Sequence, residues 1–452
     1  MKGFVHRIRE HCGELWWYTA LLFIAQRFGD AINMFVGMWL VPRYVPAEEL
    51  GAVVPLTQAV AFVALPLSIV TIPFMKFITV FIDNGEDGKA KAFIRDVFLA
   101  VATLAVVSVV GAYFLMPLLF SRLHVECGSL GILVMSVAVL TSTSAIFGYA
   151  VQGFRMYSVT IWIQILQAPL RLMLMLIAMP FRPLSGYMIG QTAGPIVQIS
   201  ATLYAFRRRF GRLVRPMPYW SEYKRAIVHY TVPFAIWSIV GTLCGTFDSL
   251  VIRHRLPELE SAGYYILTRF TDMVGYLGMA AAGFLFPMVA SRGASDRTAR
   301  KLLWQSIVCA LVGGGIVAAG LSVLGEWMLN LLTEWRAYVA FANLFPVLSL
   351  TTVLSTVAGC IITFEMAQGR FRFLWYAVPI NLGKTILIYV ITGFSFFQGL
   401  VPDGLIRMID TLEPCRLKFV SEALFVGQAF FVLCLLFDLL RSVSLRKENK
   451  RC

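Results

Sequence analysis

Charge is scarce in this chain and histidine nearly absent: of 452 residues, 14% are Asp, Glu, Lys or Arg and five are His. So little charge, beside 58% hydrophobic residues and a mean hydropathy of +0.75, excludes a soluble globular protein. The dispersed histidines give neither a metal site nor a His-based catalytic group. The eight cysteines are scattered too, with no CxxC and no Cys/His grouping of the kind that holds zinc. Long polar segments are also missing. The longest hydrophilic connections leave no room for a separate catalytic or nucleotide-binding domain, so any chemistry takes place in or at a membrane.

What is present is a succession of apolar windows. A bilayer core about 30 Å thick needs roughly 20 apolar helical residues. Twelve windows meet that length, at 16–43, 50–75, 94–118, 128–151, 157–180, 184–206, 228–252, 262–288, 302–325, 340–366, 373–395 and 419–440. The amino end runs into the first window without a small-residue cleavage site, so that span is expected to be retained. The fold class expected is an all-α polytopic membrane protein with about 12 transmembrane helices.

Basic residues orient it. One set of connections (the amino end, the turns near 76–95, 152–156, 207–227, 289–301 and 367–372, and the tail) carries 26 of the 39 Lys and Arg, and the opposite set carries 9. The positive-inside rule puts both termini in the cytoplasm, which for a bacterial chain means the inner membrane. The net charge of +14 resides largely in juxtamembrane clusters such as Arg207, Arg208, Arg209, Arg212 and Arg215. Orientation and anionic headgroups account for these, and no nucleic-acid partner is expected. Cys127 and Cys415 both fall on the expected outer side, where a disulfide is allowed but has no further support.

The remaining four basic residues, Arg27, Arg171, Arg269 and Lys384, lie inside the windows. Such residues are expensive unless they face a polar interior, so they are read as the lining of a cationic, substrate-binding cavity. Arg27 with Asp30, and Arg269 with Asp272, stand one helical turn apart and are able to neutralise each other. Arg171 and Lys384 have no acid nearby on their own helix and are the stronger expected phosphate ligands. Asp248 is placed near a span end, in a structural or gating role. Structural pairing of all four cations between helices is the plainer alternative.

The longest cytoplasmic linker divides the windows six and six. The domains expected are therefore 1–206, a basic linker at 207–227, and 228–452. AEELGAVVPLTQAV at 47–60 echoes LESAGYYILTRFTD at 259–272, aligning Gly51 with Gly263. Two helical halves of like orientation form the parallel-repeat plan known among transporters. Chance similarity between apolar segments is the competing account of the echo.

MFVGMWLVPRYVPAEELGAVVPLTQAVAFVALPL near the start resembles the first two helices of the polysaccharide flippases that export O-antigen and related lipid-linked glycans. FDSLVIRHRLPELESAGYYILTRFTDMVGYLGMAAAGFLFPMVASR at 247–292 is similar to that family's seventh and eighth helices, with Asp248, Gly263, Tyr264, Tyr265, Phe286 and Pro287 on its pattern. The superfamily also holds lipid II flippases and multidrug extrusion transporters. The resemblance implies two six-helix bundles around a central cavity, alternating access, and a polyprenyl-pyrophosphate-linked oligosaccharide as substrate. It also implies polysaccharide polymerase and other assembly proteins as partners. No cofactor is expected; a coupling ion, H+ or Na+, would act through Asp30 or Asp272. The alternatives are a cation-coupled multidrug antiporter of the same fold, a polytopic glycan-transferring enzyme using Asp403, Asp410 and Glu413 of the outer loop at 395–418, and a non-transporting scaffold. The enzyme reading lacks a second convergent group, and no catalytic residue is assigned.

Overall fold

In the computed structural model the residues described are 14–122, 128–154, 156–210, 217–290, 296–331, 333–391 and 416–448. Cys127, Cys415 and nearly all of the outer loop at 395–418 lie outside them, as do Arg212 and Arg215. Among the described residues the regular structure is helical throughout.

Over the described residues each of the twelve apolar windows is largely helical. The first is α1 (Glu14–Phe35), extended by a π-helical turn at Val36–Leu40 and the short α2 (Val41–Tyr44). After α3 (Ala47–Leu50), the second window divides into α4 (Val53–Ser68) and α5 (Thr71–Asp83). Their axes differ by 45° across the break. Pro66 in the last turn of α4 and Pro73 in the first turn of α5 each lack the N–H that would carry the ladder through it. The next windows are α6 (Asp87–Arg122), α7 (Gly128–Gly153) and α8 (Tyr157–Ala178). The sixth is α9 (Pro183–Gln191) and α10 (Ala193–Phe210), interrupted at Thr192. Then follow α11 (Trp220–Arg255), α12 (Glu258–Ala290) and α13 (Asp296–Leu331). A 3-10 segment (Thr333–Leu344) precedes α14 (Phe345–Ala367), α15 (Leu374–Ile391) and α16 (Arg416–Glu448).

Seven of the described helices are long and apolar enough to cross a membrane, or eight with α4 and α5 taken as one bent span. Of the other windows, α1 is diluted by Arg27 and Asp30, the sixth is broken at Thr192, and α15 is short. Apolar side chains on α6, α13 and α16 stand outward: Val106 is 64% exposed, Val323 78% and Phe437 68%. Water would penalise such faces, whereas lipid solvates them. With Trp375 and Phe181 more than four-fifths exposed near helix ends, the surface is that of a multi-pass membrane protein.

By internal packing the chain divides into two units, Met1–Val45 with Leu56–Ile239, and Pro46–Pro55 with Val240–Cys452. In the first, α1 packs on α8, α8 on α9 and α10, and α7 on α5 and α10. In the second, α12 packs on α13 and α14, α14 on α16, and α16 on α15. The second unit also takes in α3, packed against α12, where the Ser261 hydroxyl donates to the Gly51 carbonyl at 3.4 Å. The two segments that echo each other in sequence thus meet in space.

Candidate functional site

Each unit carries a part-buried polar cluster among apolar helices. In the first, one helical turn brings Arg27 and Asp30 onto the same face of α1, and they pair at 2.9 Å with about a quarter of each side chain exposed. On α8, Gln164, Gln167 and Arg171 recur at helical spacing on one face, and the Gln167 amide donates to Gln164 Oε1. Arg171 Nη1 donates to Gln191 Oε1 at 3.3 Å, at the end of α9. Gly29 and Ala168 form the contact between α1 and α8: a Cβ on Gly29 would lie 3.8 Å from that of Ala168. This approach puts Arg171, from a second helix, within electrostatic reach of Asp30. α7 to α10 contain no Asp or Glu, and the other acid of α1, Glu14, begins the helix. The cluster therefore holds two guanidinium groups about one carboxylate. Asn33, a turn beyond Asp30, has a buried Oδ1 with no hydrogen-bond donor among the described residues.

The second unit is built around Asp248, on α11. Its Oδ1 accepts the Ser249 backbone N–H at 2.8 Å, and its Oδ2 accepts the Tyr264 hydroxyl of α12 at 2.9 Å. Asp248 lies seven residues before the end of α11, which runs on to Arg255, and its carboxylate is tied to a neighbouring helix. Lys384 of α15 is within electrostatic reach of it. The Lys384 methylenes lie on Gly427 of α16, where an added Cβ would come within 3.0 Å of Cγ. Lys384 has no acid on its own helix, but it has one opposite. Farther along α12, Arg269 pairs with Asp272 at 3.1 Å, its guanidinium 5.5 Å from the Tyr265 ring centroid.

The Gly263, Tyr264, Tyr265 triplet acquires a distinct use for each member. A Cβ on Gly263 would sit 2.6 Å from the Phe341 ring, so the small residue is needed for close packing. Tyr264 holds Asp248, and Tyr265 lies beside Arg269. Nothing is described of the Phe286 and Pro287 side chains. Among the described residues no group of three or more His, Cys, Asp or Glu converges.

The sequence reading missed Tyr264 as the partner of Asp248, and it placed Lys76 in a cytoplasmic turn. α5 continues to Asp83, so Lys76 lies inside a helix, half-buried, with its ammonium 3.6 Å from the Tyr230 ring centroid. Seven residues of helix beyond it, before the positive-φ Gly85, are the signal that an apolar window discards.

No family model matches the chain, and no curated protein matches it. Solved structures do. The MATE multidrug transporter DinF-BH is 15% identical with a TM-score of 0.66, covering 94% of each chain. An inward-facing multidrug resistance MATE family transporter of the MOP superfamily is 13% identical, with a TM-score of 0.63 over 94% of this chain and 96% of that one. A mutant of the Vibrio cholerae MATE transporter VcmN is 15% identical, with a TM-score of 0.65 over 96% and 98%. The chain is an all-α polytopic membrane protein with the MATE transporter fold.

Proposed function

We propose that the chain is a membrane exporter working by alternating access on a polyprenyl-pyrophosphate-linked oligosaccharide, for surface polysaccharide synthesis at the bacterial inner membrane, with both termini cytoplasmic. The observation that carries this reading is the first unit's cluster, in which Arg27 pairs with Asp30 and Arg171, from a second helix, stands within electrostatic reach of the same carboxylate. The lipid tail of such a substrate remains in hydrocarbon, but its pyrophosphate and sugars need a polar passage. Arginine offers a planar fork of donors matched to phosphate oxygens. Gln164, Gln167, Gln191 and Asn33 around it are suited to sugar hydroxyls.

In the second unit Arg269 and Lys384 are balanced by Asp272 and Asp248, so their phosphate contacts require those carboxylates to release them. Protonation or a sodium ion at Asp30 or Asp272 would supply that coupling, and Asp248, anchored by Tyr264, would act as a gate. A polysaccharide polymerase and other assembly proteins are the partners such an exporter serves.

A cation-coupled multidrug antiporter is the second reading, favoured by neighbours of the same fold named as multidrug transporters and by carboxylates at 30, 248 and 272 able to take a cationic drug. Complementation separates the two. A strain lacking its polysaccharide flippase should regain surface glycan with this chain and lose it with Arg171→Ala at equal membrane level. Raised drug resistance without restored glycan would transfer the assignment to the antiporter.

A further inference from the structure

Lys76 is a cation within α5, outside both clusters. It belongs to the less buried stripe of α5 that also carries Ile72, Thr79 and Asp83. Tyr230 of α11, 4% exposed, receives its ammonium on the ring face, and Phe77 supports that ring edge-on at 6.3 Å. Each of the other embedded cations discussed has a carboxylate in reach: Asp30 for Arg27 and Arg171, Asp272 for Arg269, Asp248 for Lys384. Among the described residues Lys76 has none within ion-pair distance. Beyond the end of α5, Glu86 and Glu222 are both engaged by Lys89.

An aromatic face partners a cation differently from a carboxylate. It attracts the cation through the negative face of the ring and leaves the charge uncancelled. A lysine parked this way keeps its full attraction for a polyanion and has a weak contact to give up, whereas a salt-bridged lysine must first surrender a counter-ion. Lys76 stands about 10 Å, seven residues of helix rise, from Asp83, on the side that the basic loops assign to the cytoplasm. That is the level of phospholipid headgroups and of the phosphates of a lipid-linked substrate before translocation.

We infer that Lys76, resting on Tyr230, forms a separate anion subsite that takes the pyrophosphate of an amphiphilic lipid as it arrives from the cytoplasmic leaflet, ahead of the arginine cluster. The inference rests on the lipid-linked reading above and adds to it a loading position.

The full-length protein, in phosphatidylcholine nanodiscs, is titrated with geranylgeranyl pyrophosphate and, in parallel, with geranylgeraniol, which has the tail without the phosphates. Lys76→Gln should weaken pyrophosphate binding about tenfold, as expected for losing a charge-assisted contact, and leave geranylgeraniol binding unchanged. Lys76→Met, whose thioether still packs on the ring, should do the same and serves if the Gln variant misfolds. Tyr230→Leu should bind pyrophosphate at least as well as the wild type, because it removes the resting partner and not the charge. Lys301→Gln, on exposed α13 surface, is the control. Wild-type binding by both Lys76 variants would overturn the subsite while leaving the function standing. A wild type that fails to distinguish the two lipids would remove both. If Lys76→Gln instead lowers only retention of phosphatidylglycerol, with pyrophosphate binding intact, Lys76 is a headgroup anchor and the subsite is refuted.

Discussion

The Tyr264 hydroxyl donates to Asp248 Oδ2 at 2.9 Å and joins α12 to α11 inside the second unit. Removing the donor of a part-buried hydrogen bond to a carboxylate leaves that carboxylate short of a partner, which costs more than the bond's net worth. Tyr264→Phe is expected to destabilise the protein by about 1–3 kcal/mol, read as earlier thermal unfolding in detergent. Asp248→Asn, which keeps an acceptor oxygen and drops the charge, should cost less. Equal stability of Tyr264→Phe and wild type would show the bond to be incidental.

Lys384 extends the same chain of interactions. Lys384→Met should destabilise the wild type but cost less in an Asp248→Asn background, since the carboxylate no longer needs a neighbouring cation. A double-mutant cycle of thermal stabilities measures this coupling, and strict additivity would mean that the two groups do not sense each other.

Much of this architecture was legible in the sequence because span length and apolar composition are local properties. Over the described residues all twelve windows are largely helical, and Pro66 and Pro73 flank the bend between α4 and α5. The π turn at Val36–Leu40 and the break at Thr192 were not legible, since apolar content does not report which carbonyl a given N–H finds. Pairs one turn apart, Arg27 with Asp30 and Arg269 with Asp272, could be read from spacing. Arg171 near Asp30, Lys384 near Asp248 and Tyr264 on Asp248 could not, because each depends on which helices pack together. Lys76 was misplaced because a hydropathy window closes at a charge, while a helix closes only where its backbone does.

Around Asp30 the expected order of effects follows from charge. Arg171→Ala should impair export while membrane insertion, followed by protein level in the membrane fraction, stays unchanged. Arg27→Ala leaves Asp30 with one cation in place of two, so it should be better tolerated together with Asp30→Asn than alone. The reverse order in a glycan-display assay would place the essential charge on Asp30 and count against the arginine cluster as the phosphate site.

Gly263 tests packing without altering charge. A Cβ there meets the Phe341 ring at 2.6 Å, and overpacking of this kind typically costs about 1–3 kcal/mol. Gly263→Ala should lower thermal stability, and Phe341→Leu should restore part of it by yielding the space. A Gly263→Ala protein as stable as the wild type would mean that the ring moves aside freely.

The connection between α5 and α6 provides a pH test outside the spans. Glu86 accepts from Lys89 at 2.9 Å and from the Tyr223 hydroxyl at 3.0 Å, Asn84 donates to that same hydroxyl, and the Met217 N–H donates to the Gly88 carbonyl. Hydrogen bonds from Lys89 and Tyr223 hold the Glu86 carboxyl below its ordinary range, against a smaller opposing effect of burial. A depressed carboxylate pKa stabilises the folded arrangement above the unfolded value of about 4.3, and that stabilisation is lost as pH falls through the folded value. Amide exchange in 84–93 and 217–223 should therefore be flat from neutral pH down to about 5 and accelerate, relative to the intrinsic rate, only below about 4. In Glu86→Gln the acid-dependent acceleration should vanish, with exchange uniformly faster at neutral pH. A wild-type profile in that variant would assign the clasp to Glu222 and Lys89 alone.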